Sequence, residues 1–385
     1  MTPGIFITGA GVVSAIGIGK AETLSSLRGA RSGVGAVRYL DTGLTDFPVG
    51  EVKRDNAEMM ASLGISAPVS RTSLMGILAL KEALEEAGLR PEDVRTMPLV
   101  SGTTVGGMDL TEKMFPHYSQ VHDCGSSTDA VAAWFGGFAW ATTLSTACSS
   151  AANAVILGAN LIRSGQADRV AVGGSECLSD FHLNGFHSLM ILDRKPCRPF
   201  DAGREGLNLG EGAAFLILES ERSVAARGAR PLARLDGFGN ACDAFHQTAS
   251  SENGEGAFRA MEKALRMASL SPADIDYVNA HGTGTPNNDA SESAALRRIF
   301  GAAIPPVSST KPFTGHTTSA SGSIEAVFCL LALKEGFIPP QLNWSAEDPS
   351  CIVPSRGGDA PLRHVLCNAF GFRGNDTSLL ISKCL

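Results

Sequence analysis

Charge is scarce in this chain: 18% of its 385 residues are Asp, Glu, Lys or Arg, and aromatic residues make up only 6%. There is no basic excess. The balance of 32 Lys+Arg against 39 Asp+Glu gives a formal charge of −7, which argues against a general nucleic-acid binder or a polybasic membrane-surface binder. No Cys-x-x-Cys pair occurs among the nine cysteines, whose number is odd and whose spacing is wide. Reduced thiols in a cytoplasm are therefore expected rather than a disulfide framework. The opening M-T-P-G-I-F-I-T-G lacks the basic start and cleavable apolar core of a secretory signal. No H-E-x-x-H occurs, and His182 and His187 are too far apart to share a helix face, so no metal is expected. The 43 glycines and 19 prolines are spread along the whole length, which excludes collagen and a low-complexity tail.

What the chain has is apolar residues, 44% of the total, enough to bury a large core in two or three domain-sized units. The stretch from Ala130 to Ile162 carries no charge and exceeds the ~20 residues a membrane-spanning helix needs. Yet Gly136, Gly137, Thr142, Thr143, Ser149, Ser150 and Asn153 lie within it, the composition of a strand and a helix buried in a large α/β protein. Strand patterns are expected at Ile5–Thr8, Leu99–Val105, Arg169–Val172, Ala213–Leu218, Ile275–Ala280, Val365–Asn368 and Ser378–Ser382. Helix patterns are expected at Ser73–Ala87, Ser149–Arg163, Phe258–Met267, Ala290–Phe300 and Ser323–Lys334. The alternation predicts an α/β fold with largely parallel sheets, divided near Gly228–Pro231 into halves 1–230 and 231–385.

Several turns carry candidate chemistry. Gly9-Ala10-Gly11-Val12-Val13-Ser14 follows the first strand and nearly matches a dinucleotide fingerprint, but Ser14 replaces the third glycine, and a tight turn explains it as well. In T-A-C-S-S, Cys148 stands where a short segment gives way to a helix, a setting that aims a nucleophile and favours thiolate. The other eight cysteines read as small buried hydrophobes. His281 in N-A-H-G-T-G-T and His316 in K-P-F-T-G-H-T-T lie in Gly/Thr-rich turns at element ends, where α/β proteins place chemistry. His117, His122, His182, His187, His246 and His364 have no such setting and read as surface or packing residues. Lys311 shares the turn with His316; taken alone it reads as a solvated lysine, but near the site it would bias its neighbours electrostatically. Glycine-flanked backbone N–H groups in C-N-A-F-G-F-R-G-N-D, Cys367 to Asp376, can receive an oxyanion.

Read in order, these segments resemble the β-ketoacyl-acyl carrier protein synthases of the elongating (type I/II) class, members of the thiolase superfamily. The resemblance runs from I-T-G-A-G-V-V-S-A-I-G through R-P-F-D-A-G-R-E-G-L-N-L-G-E-G-A, H-G-T-G-T-P-N-N-D and K-P-F-T-G-H to G-F-R-G. It implies an internally duplicated, five-layered α/β/α/β/α thiolase-like fold and a decarboxylative Claisen condensation. Cys148 would carry the acyl group, and His281 and His316 would hydrogen-bond the enolate of malonyl carrier protein. The backbone N–H groups of Cys148 and Phe372 would form the oxyanion hole. Lys311 would tune the histidines, and Glu325 would hold a structural acidic position. Thr283 and Thr285 match positions that bind the phosphopantetheine arm; Phe186, Phe370 and Phe372 match the acyl pocket and its gate. The resemblance implies no cofactor beyond the arm brought by the acyl carrier protein. It implies a dimer, either a homodimer or a heterodimer with a chain-length-factor-like subunit.

The chain also departs from the pattern. Arg373 replaces a glycine of the gate turn, and its guanidinium is a candidate tether for that loop or a contact for substrate. Met190 replaces a frequent carrier-binding arginine, leaving Arg194, Lys195 and Arg198 as candidates for meeting an acidic carrier protein. The segment Met108–Ser127 is short. The runs T-V-G-G-M-D and H-D-C-G-S-S resemble synthases of bacterial aryl-polyene pathways, set against ordinary fatty-acid elongation. A thiolase would use a second cysteine, an initiating synthase an asparagine in place of His316, and a chain-length factor no nucleophile.

Overall fold

The computed structural model describes residues 4–117 and 123–384. His122, and with it the start of the H-D-C-G-S-S run and part of the Met108–Ser127 segment, lies outside the described residues. The strands that place the site are β1 (Ile5–Ser14), β2 (Leu99–Gly102), β3 (Ala141–Leu144), β4 (Arg169–Glu176) and β5 (Gly212–Ser220), then β6 (Ala233–Cys242), β7 (Tyr277–Asn279), β8 (Val307–Ser308), β9 (His364–Gly371) and β10 (Asn375–Ser382). They run in the order β3-β2-β4-β5-β1-β6-β10-β9-β7-β8, with the two-residue strand Gly17–Ile18 beside β1.

That order reads the same from both ends. β3, β2 and β4 are mutually parallel, and β5 and β1 follow antiparallel; β8, β7 and β9 are parallel, with β10 and β6 antiparallel. A short antiparallel contact, Phe6 with Arg234 and Ile7 with Ala233, joins the two sets. The sheet is therefore mixed, not largely parallel as the alternation suggested. β5 and β10 return beside their neighbours through antiparallel pairing, which strand-length apolar runs do not distinguish from parallel pairing.

Helices α1 (Arg71–Ala87), α2 (Cys124–Trp134), α3 (Ser150–Arg163), α4 (Asp180–Ser188), α5 (Glu255–Ala268), α6 (Pro286–Phe300) and α7 (Ser321–Glu335) fill the layers. α1 covers β1 and β5 on one outside face, and α5 covers β6 and β10 on the other, with α6 beside it. Between the two sets lie α3 and α7, packed on each other, α3 against β4 and α7 against both β5 and β9. Sequence explains this difference between outer and inner helices. α1 has an exposed charged side at Lys81 and Glu85, whereas every residue of α7 from Ser321 to Leu333 is buried. Ser70 caps α1 by accepting from the Ser73 N–H, and Gly88 ends it in the left-handed conformation.

The G-A-G-V-V-S run is not a turn. It lies inside β1, and its glycines serve helix packing: a Cβ on Gly9 would stand 2.1 Å from the Ala83 carbonyl oxygen, and one on Gly11 2.0 Å from that of Ala79. Only a residue without a side chain lets α1 lie this close to the strand. Gly11→Ala is expected to lower the unfolding free energy by about 3 kcal/mol, the upper end of overpacking costs. Urea denaturation measures it; an unchanged midpoint would show that strand and helix do not make this contact.

Candidate active site

The site is built on the turn between β3 and α3. Ala147 adopts φ 53, a left-handed conformation that an alanine enters only when its surroundings hold it. The two serines of T-A-C-S-S do the holding. Ser149 Oγ donates to the Thr146 carbonyl at 2.8 Å, and Ser150 Oγ donates to the Ala147 carbonyl at 2.6 Å while accepting from the Thr146 N–H at 2.9 Å. The result lifts Cys148 out of the chain path at the start of α3, with only 5% of its surface exposed.

Two stretches of the second half meet it there. His281 follows β7, and its turn is gripped by Glu292 on α6, which accepts from the His281 N–H at 2.9 Å and the Gly282 N–H at 2.8 Å. His316 is held by the first half: its N–H donates to the Asn208 carbonyl at 2.7 Å, and its own carbonyl accepts from the Gly210 N–H at 2.9 Å. His316 Nε2 lies 3.0 Å from Cys148 Sγ, and its Nδ1 lies 3.0 Å from Ser321 Oγ. The two imidazoles stand edge to face, 5.2 Å between centroids.

Lys311 is not a solvated lysine. It is buried, with Nζ 3.2 Å from His281 Nδ1 and 2.7 Å from Glu325 Oε1. An ammonium has only donors, so it donates to Nδ1 and leaves the His281 proton on Nε2. Burial holds the His281 imidazole well below the ordinary histidine range, helped by Lys311 and then His316. His316 is held down by burial, then by Lys311 and His182. Both rings are neutral at pH 7. Burial pushes Glu325 up to about 7 against the pull of Lys311.

The thiol departs from what its helix position suggested. Burial pushes Cys148 up to about 11, although Lys311 and the backbone N–H groups of Phe372 and Cys148 itself pull it down. Desolvation outweighs the helix terminus here, and the resting pair is a neutral thiol donating to a neutral imidazole.

A cavity of about 330 Å3 opens onto Cys148, His281 and His316, with Thr283, Thr285, Phe186, Phe370 and Phe372 also on its walls. Thr283 and Thr285 share a hydrogen bond of 2.8 Å. Phe186, on α4, stacks on Phe372 with centroids 5.9 Å apart. A larger cavity of about 510 Å3 lies around Arg71 and the carboxylates of Glu51, Asp109 and Glu211, and contains neither thiol nor imidazole.

Arg373, in the turn between β9 and β10, has φ 65, the conformation a glycine would take without strain. Its backbone ties the turn: the N–H donates to the Gln247 carbonyl at 3.0 Å, and the carbonyl accepts from Cys242 Sγ at 3.3 Å. Its exposed guanidinium makes no hydrogen bond or ion pair among the described residues, so the tether is main-chain. Of the basic candidates, Arg194 pairs with Asp46 at 2.8 Å, Arg198 pairs with the buried Asp193 at 3.2 Å, and Lys195 is exposed. Met190 is 89% exposed beside Leu189, which lines the cavity. The other eight cysteines do not all pack as hydrophobes: Cys242 is exposed, and Cys124 and Cys384 are half-buried.

Sequence reasoning missed Glu292, Ser321 and Glu176. Glu292 left a signal, since Asp289 and Glu292 fall at three-residue spacing on the stripe that continues to the buried Leu296 of α6. An acid on an apolar stripe is expensive unless it holds something. Ser321 and Glu176 left none.

One thiol and two imidazoles thus line a single cavity, in a chain that is similar to known proteins over nearly its whole length. The family described as beta-ketoacyl synthase, N-terminal domain matches residues 2–223, and its C-terminal domain matches residues 232–345. A 3-oxoacyl-[acyl-carrier-protein] synthase 2 of Staphylococcus aureus (strain N315) is 31% identical over 405 aligned positions, covering 98% of each chain. Among solved structures, the ishigamide ketosynthase/chain length factor superposes with TM-score 0.92 at 32% identity, covering 100% of both chains. A type II PKS acyl-carrier protein in complex with its ketosynthase (AntDE:AntF) matches with TM-score 0.87 at 25% identity, again over 100% of both. The chain belongs to the β-ketoacyl synthase family and is an acyltransferase with its thiolase-like fold.

Alkylation of Cys148 by iodoacetamide is expected to keep rising with pH toward about 11, because burial raises the folded thiol. In Lys311→Met the midpoint moves higher still, since the lost ammonium was lowering it. Peptide mass mapping, with the exposed Cys242 as internal comparison, reads both. A plateau below pH 8 would show a resting thiolate and contradict the neutral pair.

Proposed function

We propose that this chain condenses a Cys148-bound acyl group with malonyl carrier protein, giving 3-oxoacyl carrier protein in fatty-acid or polyketide chain elongation. The observation that carries this reading is one thiol and two neutral imidazoles meeting in a single cavity. In the first step the thiol gives its proton to His316 Nε2 as the sulfur attacks the acyl thioester. The leaving phosphopantetheine thiolate takes that proton, so no charge remains. The developing oxyanion accepts from the backbone N–H groups of Phe372 and Cys148.

Malonyl carrier protein then loses CO2. The enolate oxygen accepts from His281 Nε2–H, whose proton is placed there by Lys311, and from His316. Ser321 suits either tautomer of His316, since its hydroxyl accepts from Nδ1–H or donates to bare Nδ1. The enolate carbon attacks the acyl carbonyl, the carbon–sulfur bond breaks, and the expelled Cys148 thiolate takes a proton from water, replacing the one that left with the phosphopantetheine thiol. Neutral rings suit a donor that must stabilise charge without quenching it.

The two halves, 1–230 and 231–385, bring the cysteine and the histidines respectively. The phosphopantetheine arm enters along Thr283 and Thr285, and the acyl chain lies behind the Phe186–Phe372 stack. The chain needs no cofactor of its own, since the arm arrives on the partner. Arg194, Lys195 and Arg198 face the acidic carrier protein, with Arg194 free to exchange its exposed partner Asp46. A chain-length-factor-like subunit fits as dimer partner, as the ishigamide relative is described together with such a factor. Cytoplasmic location accords with reduced thiols, and no helix among the described residues is long and apolar enough to cross a membrane.

Mass spectrometry of intact protein offered a panel of saturated and polyunsaturated acyl carrier proteins tests this. The acyl mass is expected on Cys148 and is lost in Cys148→Ala. His281→Ala is expected to load normally and to condense about 100-fold more slowly. Product formation by Cys148→Ala at the wild-type rate would overturn the reading.

A further inference from the structure

Glu176, the last residue of β4, is fully buried, and no lysine or arginine pairs with it among the described residues. Its carboxylate instead gathers donors from two distant stretches. Thr103 Oγ1 donates at 2.7 Å, the Thr104 N–H at 2.7 Å and the Val105 N–H at 3.3 Å, joined by the Thr104 hydroxyl. The remaining donor is Ser319 Oγ, from the second half of the chain.

Ser319 sits in the one-turn helix Thr318–Ala320 that links His316 to α7. Thr318 there has φ 44, a strained conformation for a β-branched residue, and its buried hydroxyl has no partner. Such a turn persists only if its neighbours hold it. Ser321, next after the turn, supplies the Oγ that stands 3.0 Å from His316 Nδ1 and 3.2 Å from Thr317 Oγ1.

We propose that Glu176 is a positioning residue for His316: through Ser319 it clamps the strained turn that aims the imidazole at the Cys148 sulfur. This rests on Cys148 and His316 being the reacting pair. The clamp joins β4 of the first half to the His316 loop of the second, so it fixes the halves where the chemistry requires registry. The carboxylate also raises the pKa of the Cys148 thiol, which Lys311 lowers, while His316 stands 3.0 Å from the sulfur and His281 lines the same cavity. It therefore helps to keep the resting sulfur protonated.

Two variants separate clamp from charge. Ser319→Ala removes one hydrogen bond and keeps the carboxylate; kcat for condensation is expected to fall about tenfold with KM for the acyl carrier protein unchanged. Its Cys148 alkylation by iodoacetamide at pH 8 is expected to slow several-fold, because the sulfur loses a well-aimed base. Glu176→Gln is expected to lose kcat and to move the alkylation midpoint to lower pH, a shift that a purely structural residue would not cause. Alkylation needs neither carrier protein nor condensation, so it decides the matter even if no 3-oxoacyl product forms. Wild-type kcat and wild-type alkylation in Ser319→Ala would overturn the proposal, and that variant decides if Glu176→Gln does not fold.

Discussion

One buried ammonium organises this site. Lys311 carries a charge where water cannot solvate it, a position tolerable only with a close counter-charge and filled hydrogen bonds. Glu325 provides the first at 2.7 Å, and His281 Nδ1 provides an acceptor at 3.2 Å. The charge acts on everything within reach. It depresses both imidazoles, fixes the His281 tautomer, and moderates a thiol that burial drives upward. Removing Glu325 would leave an uncompensated buried ammonium, a change of about 3–5 kcal/mol. The pair therefore serves electrostatics at the expense of stability, as expected where groups must be held in one protonation state.

The fold supplies the geometry that lets so few residues matter. The loops that leave the ends of the parallel strands carry the chemistry. T-A-C-S-S follows β3, N-A-H-G-T-G-T follows β7, and K-P-F-T-G-H follows β8. The boundary between the halves is stitched from both sides. Asn208 and Gly210 of the first half grip the His316 backbone, and α3 and α7 pack against each other between the two sets of strands. Cys148 and His316 are thus brought to 3.0 Å by main-chain bonds and helix packing, not by flexible side chains reaching across a gap.

Much of this was legible in the order of residues, for reasons that differ by element. Outer helices such as α1 announce themselves because one side is wet, and the charge pattern shows it. The Cys148 turn was readable because a cysteine standing where a short strand pattern gives way to a small-residue helix is set apart from the other eight. Strand direction was not readable, since a buried run such as Ala213–Leu218 is apolar whichever way its neighbours point. G-A-G-V-V-S misled for a related reason: glycine marks close approach of backbone, and the sequence does not say whether a phosphate or a helix makes that approach. Lys311 looked solvated because burial of a charge is a tertiary fact. Glu176 gave no signal at all, as its partners lie in segments that meet only in the folded chain, and Ser321 is one of several hydroxyl residues after His316 that nothing in the sequence sets apart.

Neutral rings with the His281 proton on Nε2 are the claim from which the rest follows. Nitrogen NMR of the protein labelled with 15N-histidine reads protonation state and tautomer directly. His281 and His316 are expected to remain neutral between pH 8 and pH 6, with His281 showing a bare Nδ1 and a protonated Nε2. An imidazolium signal from either ring at pH 7, or a His281 proton on Nδ1, would contradict it.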